Sequence, residues 1–198
     1  MLVGITGGIG SGKSFVCHKL ESTGYPVYKC DDAAKQLMQT DSDLRRQLIA
    51  LIGTDTYTST GLNKPVIADF LFRSKENARL VDDIVHPAVF RDMQTWYLQQ
   101  QTPICFVESA ILFEAGFHTA MDATVFVFAD EAVRIQRAVE RDKTDAEHIR
   151  SRMAQQQSAD TTRSLADYTL NNDPTSDIDS ELKQLIEYLN NKNKKHHA

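Results

Sequence analysis

The chain has 198 residues, 41% hydrophobic and 25% charged, enough apolar side chain for one compact domain with a small inserted lobe and too much for a disordered chain. Its 22 Lys and Arg against 27 Asp and Glu give a net charge of −5, which lacks the basic excess that grips nucleic-acid phosphates. Nucleic acid is therefore not expected as a main partner, although a local basic patch could still hold a small polyanion. No run reaches the roughly 18 consecutive apolar residues that a membrane span needs. The segment Met1-Leu2-Val3-Gly4-Ile5 enters a strand pattern without a charged leader, so a cytoplasmic protein with no membrane association is expected. Cys17, Cys30 and Cys105 are odd in number and widely spaced, the pattern of reduced structural thiols rather than of disulfides or a metal cluster.

In chain order, Leu2 to Ile5 reads as a buried parallel strand, followed by a glycine-rich turn and a helix over Phe15 to Leu20. A second strand is predicted at Val27 to Cys30. The gap from Asp32 to Pro103 is too long for one crossover helix, and Leu37, Leu44, Leu48, Leu51, Val66 to Leu71, Leu80, Ile84 and Val89 recur at helical spacing. An inserted helical lobe over about 32–102 follows, which would cover the sheet edge. Strands at Ile104 to Val107 and Thr124 to Phe128 come next, then Arg- and Gln-rich helices over Asp130 to Gln157, a weaker strand at Tyr168 to Leu170 and an amphipathic helix at Glu181 to Leu189. The polar, basic 190–198 stretch reads as a fraying end. This alternation predicts an α/β fold with a doubly wound parallel sheet, its core formed by 1–31, 103–130 and 160–190, and ligands bound beyond the carboxyl ends of the strands.

Residues Gly7-Gly8-Ile9-Gly10-Ser11-Gly12-Lys13-Ser14 match G-x-x-x-x-G-K-[ST] between that first strand and first helix. Chance produces such a match on the order of 0.01 times in a chain of this composition. Glycines let backbone N–H groups close around phosphate oxygens, the helix start adds its positive end, and Lys13 brings charge to the β and γ positions. Ser14 is expected to hold Mg²⁺, and ATP is the expected ligand.

The loop alone does not choose among kinases, GTPases, transporters and mechanical ATPases. Asn63-Lys64-Pro65-Val66 lacks the Asp of a guanine-reading segment, and no L-S-G-G-Q occurs. Asp130 and Glu131 mimic the acidic strand end of an ATPase, but they also sit where a helix begins, where acidic residues are favoured. Asp31, at the end of the second predicted strand, is either an ordinary strand-end charge or a base for an acceptor hydroxyl. Arg134, Arg137 and Arg141 fall on one helix face, either solvated beside Glu140 and Asp142 or closing over a transferring phosphoryl group.

Taken together, Gly7 to Ser14, Asp31 after Gly24-Tyr25-Pro26-Val27, His86-Pro87, Glu108-Ser109-Ala110-Ile111-Leu112-Phe113-Glu114 and Arg137-x-x-x-Arg141-Asp142 form an ordered set. It continues through Arg152-Met153-Ala154-Gln155-Gln156 to Ala166-Asp167-Tyr168-Thr169-Leu170-Asn171-Asn172, and in this the chain resembles the dephospho-CoA kinase family. The resemblance implies a P-loop kinase core, a helical substrate lobe and a helical lid over about 131–159. It implies transfer of the ATP γ-phosphoryl group to the ribose 3′-hydroxyl of dephospho-CoA, giving CoA and ADP; separately, a monomer or weak homo-oligomer is expected. By the same resemblance, Asp31 is the base, Gly8, Ile9, Gly10, Ser11, Gly12, Lys13, Ser14 and Phe15 cradle the ATP phosphates, and Arg137 and Arg141 come from the lid. Asn172 would lie near the adenine, and Lys64, His86, Leu112 and Glu114 would serve the acceptor, although Pro87 also suits the first turn of a helix, with His86 capping or packing there, and Ile111, Leu112 and Phe113 also read as plain core.

Four positions depart from the family pattern. Lys29-Cys30-Asp31 stands where Asp-Ala-Asp is common, Phe15 where Thr is common, Ala110 where Pro is common and Pro174 where Gly is usual.

Overall fold

The computed structural model describes residues 1–196. The first strand, β1 (Leu2–Thr6), is buried along its whole length. After the glycine loop comes α1 (Lys13–Ser22), which buries Val16, Cys17 and Leu20. The strand β2 (Val27–Lys29) leads into α2 (Cys30–Thr40) and α3 (Ser42–Ile52), the latter started by the Asp41 carboxylate accepting from the N–H groups of Asp43 and Leu44. A single 3₁₀ turn at Thr54–Thr56 precedes a small hairpin, β3 (Tyr57–Thr58) and β4 (Gly61–Leu62), then α4 (Lys64–Arg73) and α5 (Lys75–Leu98). The chain continues through β5 (Cys105–Glu108), a 3₁₀ turn at Phe117–Ala120, β6 (Ala123–Phe128), α6 (Glu131–Asp142), α7 (Ala146–Met153), α8 (Ala159–Leu165), β7 (Tyr168–Asn171) and α9 (Ile178–His196).

The main sheet runs in the order β2-β5-β1-β6-β7. β1 pairs in parallel with β5 on one side, Val3 opposite Phe106, and with β6 on the other, Val3 opposite Ala123. β6 pairs in parallel with β7, Val125 opposite Tyr168. The order reverses at β1, so the crevice of a doubly wound sheet opens at the carboxyl end of that strand, where the glycine loop begins. Because β1, β5 and β6 are covered on both faces, they read as unbroken apolar runs, and the core gathers Val3, Ile5, Phe106, Val125 and Leu170 with Leu20 of α1 and Leu185 of α9.

Polar ties fix the periphery. The Asp167 carboxylate accepts from the Thr124 N–H at 2.8 Å and from the Lys192 ammonium at 2.9 Å, joining β6, the start of β7 and α9. Burial pushes Asp167 up, yet the Lys192 and Thr124 hydrogen bonds hold it below the ordinary carboxylate range. Lys19 of α1 reaches Asp179 of α9 at 2.6 Å.

The chain divides into two compact units, Met1–Tyr28 with Gln100–Ala198, and Lys29–Gln99. Within the second, α5 packs with α2, α3 and α4. The β3/β4 hairpin there was not expected, because two-residue strands are too short to leave a periodic signature. Pro87 lies in the middle of α5 rather than in a first turn. Although it removes a backbone donor, Val81, Val85, Ala88, Val89 and Met93 are buried on both sides of it and hold the helix together. The expected fraying from 190 is corrected as well: α9 continues to His196, with Leu182, Leu185 and Leu189 anchoring it, while 197–198 lie outside the described residues. Cys17, Cys30 and Cys105 are buried and form no disulfide. Among the described residues no helix is long and apolar enough to cross a membrane.

Candidate functional site

The loop from Gly7 to Ser14 is shaped by close backbone approach. Gly10 (φ 76°) and Gly12 (φ 89°) occupy the left-handed region, and a Cβ on either would collide, with the Arg134 carbonyl and the Asn172 amide respectively. Within the loop the Ser11 N–H donates to the Gly8 carbonyl at 3.1 Å, and α1 begins as the Val16 N–H reaches the Gly12 carbonyl at 3.0 Å. The N–H groups of the first turn of α1 therefore face the loop's concavity, the arrangement that attracts an anion. Lys13 Nζ lies across the same loop, donating to the Gly7 carbonyl at 2.6 Å.

Helix α6 packs over this loop. Arg134 Nη1 stands against Gly8, and Arg137 Nη1 lies 3.7 Å from the Cβ position of Gly12. Arg134 Nε, Arg137 Nη1 and Ser11 Oγ are buried with no hydrogen-bond partner among the described residues. A desolvated N–H of a cation is costly without an acceptor, and phosphate oxygens supply acceptors of the right charge. Beside Gly8 a cavity of about 410 Å³ opens, walled by Glu131, Arg134, Arg150, Met153 and Gln156 among others.

Two further contacts reach the loop. Ile9 N–H donates to Gln156 Oε1 at 2.9 Å, and the Ile9 side chain packs on the cluster of Ile135, Ala138 and Ile149. Ser14 Oγ donates to Glu108 Oε1 at 2.8 Å, so a hydroxyl and a carboxylate stand together at the ends of the loop and of β5. These are hard oxygen donors of the kind that suit Mg²⁺.

The other residues expected from the sequence fall as follows. Asn172 is buried at the end of β7 and donates from Nδ2 to the Ser11 carbonyl at 2.8 Å, so its amide braces the loop. Phe15 exposes its ring, with Lys19 Nζ 5.7 Å from the ring centroid. Arg141 pairs with its neighbour, Asp142 accepting from its Nε at 2.7 Å, and Arg152 Nη1 joins the same carboxylate at 2.7 Å. Those two guanidiniums pull the Asp142 carboxyl down to about 2. Leu112 is fully buried and packs on Gly4, while Glu114 is exposed in the turn after β5. The helix-start reading holds for Glu131, which occupies the first turn of α6, and the Asp130 N–H donates to Asp173 Oδ1 at 2.8 Å.

In the Lys29–Gln99 unit, Asp31 is exposed in the first turn of α2, Lys64 opens α4, and His86 Nε2 lies 3.5 Å from Asp82 Oδ1 on α5. Burial pushes the Asp82 carboxyl up, with Asp83 adding to the rise and His86 opposing it.

Two residues at the loop escaped assignment from sequence: Glu108 was visible only as the last residue of a strand, and Gln156 left no signal beyond its place in a motif, whereas Arg134 was already offered with Arg137 and Arg141 as one face closing over a phosphoryl group.

A family model described as dephospho-CoA kinase matches residues 1–177. Dephospho-CoA kinases of Bacteroides fragilis and Porphyromonas gingivalis are 38% and 37% identical, covering 94% and 96% of this chain and 92% and 95% of their own. Among solved structures, a Thermus thermophilus protein superposes with a TM-score of 0.81 at 28% identity, covering 96% of this chain and 97% of its own. Dephospho-CoA kinase from Campylobacter jejuni (TM-score 0.66, 20% identity, 95% of this chain and 96% of its own) and shikimate kinase from Acinetobacter baumannii (0.53, 17%, 96% and 94%) share the P-loop kinase fold.

Proposed function

The chain belongs to the dephospho-CoA kinase family, and from that premise we propose that it transfers the γ-phosphoryl group of ATP to the ribose 3′-hydroxyl of dephospho-CoA, releasing CoA and ADP. The observation that carries this reading is that two guanidiniums set against the glycine loop each keep a buried N–H with no hydrogen-bond partner among the described residues, Nε of Arg134 and Nη1 of Arg137. A bound triphosphate would satisfy them, together with the loop amides and Lys13.

In this mechanism the acceptor oxygen forms a bond to the γ-phosphorus as the bond to the β–γ bridging oxygen breaks and ADP departs. Asp31 takes the proton of the 3′-hydroxyl. Lys13, Arg134 and Arg137 stabilise charge on the equatorial oxygens, and α6 and α7 act as the lid that excludes water, the competing acceptor. Arg141, carried from the family motif, belongs to the same lid and would turn inward only by leaving Asp142. Ser14 and Glu108 would hold Mg²⁺, which when bound neutralises the β and γ oxygens. The Lys29–Gln99 unit is the acceptor lobe, with Lys64 and His86 as candidate contacts to dephospho-CoA.

The experiment is ADP release from Mg²⁺-ATP with and without dephospho-CoA, with the acceptor product identified by mass. The expected result is strong stimulation and a product heavier by one phosphoryl group. Equal, slow ADP release without any CoA would refute the acceptor assignment and leave an ATPase.

A further inference from the structure

The tip of the phosphate loop is held from outside the loop by a clasp with two independent parts. One is polar, the 2.9 Å hydrogen bond from the Ile9 N–H to Gln156 Oε1. The other is apolar, the Ile9 side chain inserted against Ile135, Ala138 and Ile149, with Met153 packed alongside. Backbone of α6 completes the grip, since the Arg134 carbonyl lies directly against the Cα of Gly10. The loop therefore has three attachments to the α6–α7 region, all at two consecutive residues, Ile9 and Gly10.

We propose that Gln156 is a positioning residue that keeps the phosphate loop in its phosphate-ready form and couples it to α6 and α7. A glycine-rich loop has many accessible backbone states, and freezing it on binding costs conformational entropy that weakens affinity. Fixing the Ile9 peptide in the free protein removes part of that cost in advance. Because Ile9 is the non-glycine residue between Gly8 and Gly10, it is the point at which a side chain and an amide can both be gripped. Gln156 supplies a neutral acceptor there. A carboxylate would serve the same N–H but would repel the phosphates, which gives a chemical reason for the amide. Arg134 connects the two functions, since its Nη2 reaches Met153 Sδ at 3.9 Å while its Nη1 lies on Gly8. A loop displaced at Ile9 would carry Gly8 away from that guanidinium.

This inference rests on the loop being the ATP site, and the test separates the two. Amide hydrogen exchange of the nucleotide-free protein reads the clasp without ATP. Gln156→Ala is expected to speed exchange at Ile9 by at least about tenfold while β1 and β6 stay protected, and Gln156→Glu, which keeps the acceptor, is expected to retain slow exchange. In steady state, Gln156→Ala is expected to raise KM for ATP about five- to tenfold with kcat changed less than about twofold. Gln156→Glu is expected to raise KM for ATP as well, through its charge, despite the intact clasp. Unchanged Ile9 exchange in Gln156→Ala would overturn the proposal. Tighter ATP binding by that variant would also overturn it, because Gln156 would then be competing with phosphate for the amide. Failure of the unaltered protein to bind ATP at all would count instead against the loop assignment.

Discussion

The Gly7 to Ser14 loop and the Lys29–Gln99 unit carry chemistry in opposite ways. Around the loop, function is written in backbone: Gly10 and Gly12 are fixed by positive φ and by collisions that any Cβ would cause, and the neighbouring arginines are oriented by packing of α6. In the Lys29–Gln99 unit the residues proposed for the acceptor, Asp31, Lys64 and His86, sit on ordinary helical backbone, as side chains placed at a helix start or on a helix face. Constraint on backbone leaves a motif of consecutive residues. Constraint on side chains over a 71-residue helical unit leaves single residues at unremarkable spacing.

The comparison breaks most sharply at Lys13. Lys13→Ala should lower kcat/KM for ATP by about a thousandfold or more, measured by coupled ADP release, because it removes the cation serving the transferred group. Asp31→Asn should lower phosphoryl transfer by about a hundredfold to ten-thousandfold in single turnover, yet change the Kd for ATP less than about twofold. A large loss of ATP affinity in that variant would show that Asp31 serves the nucleotide rather than the acceptor. Arg137→Ala should cost about ten- to a hundredfold in kcat, and Arg141→Ala less, since the Arg141 guanidinium is already engaged by Asp142. Reversed ranking would mean that Arg141 changes partner during turnover.

A smaller effect sharpens the same distinction in stability. The Asp142 carboxyl, held down to about 2 by Arg141 and Arg152, lies below its ordinary value of 3.8. A depressed carboxylate contributes stability that is full above its unfolded value and is lost as pH falls through the folded one. Asp142→Asn should therefore lower the Tm by a nearly constant increment above about pH 5, and the difference should close between about pH 4 and pH 2. A gap that persists at pH 2 would assign the effect to packing rather than charge.

Sequence periodicity was informative wherever burial was two-sided. The strands β1, β5 and β6 and the helical character of the 32–102 segment were legible because continuous apolar runs and helical spacing each have one packed solution. It failed at the β3/β4 hairpin, which is too short to have a period, and at Pro87, where long-range burial of Val85 and Val89 overrides a local helix breaker. Leu112 shows the same limit, because an apolar residue between two carboxylates reads equally as groove or core until Gly4 is found beneath it.

The sequence by itself determined the parts whose chemistry depends on neighbours in the chain: the glycine loop, Lys13 and Ser14, and an ordered set of motifs specific to one family. Only the tertiary structure decided which distant groups meet them. Glu108 reaches Ser14 across 94 positions, Gln156 reaches Ile9 across 147, and Asn172 reaches Ser11 across 161. Those pairings depend on the order of strands in the sheet and the seating of α6 and α7. They follow from burial summed over the whole core rather than from any local propensity.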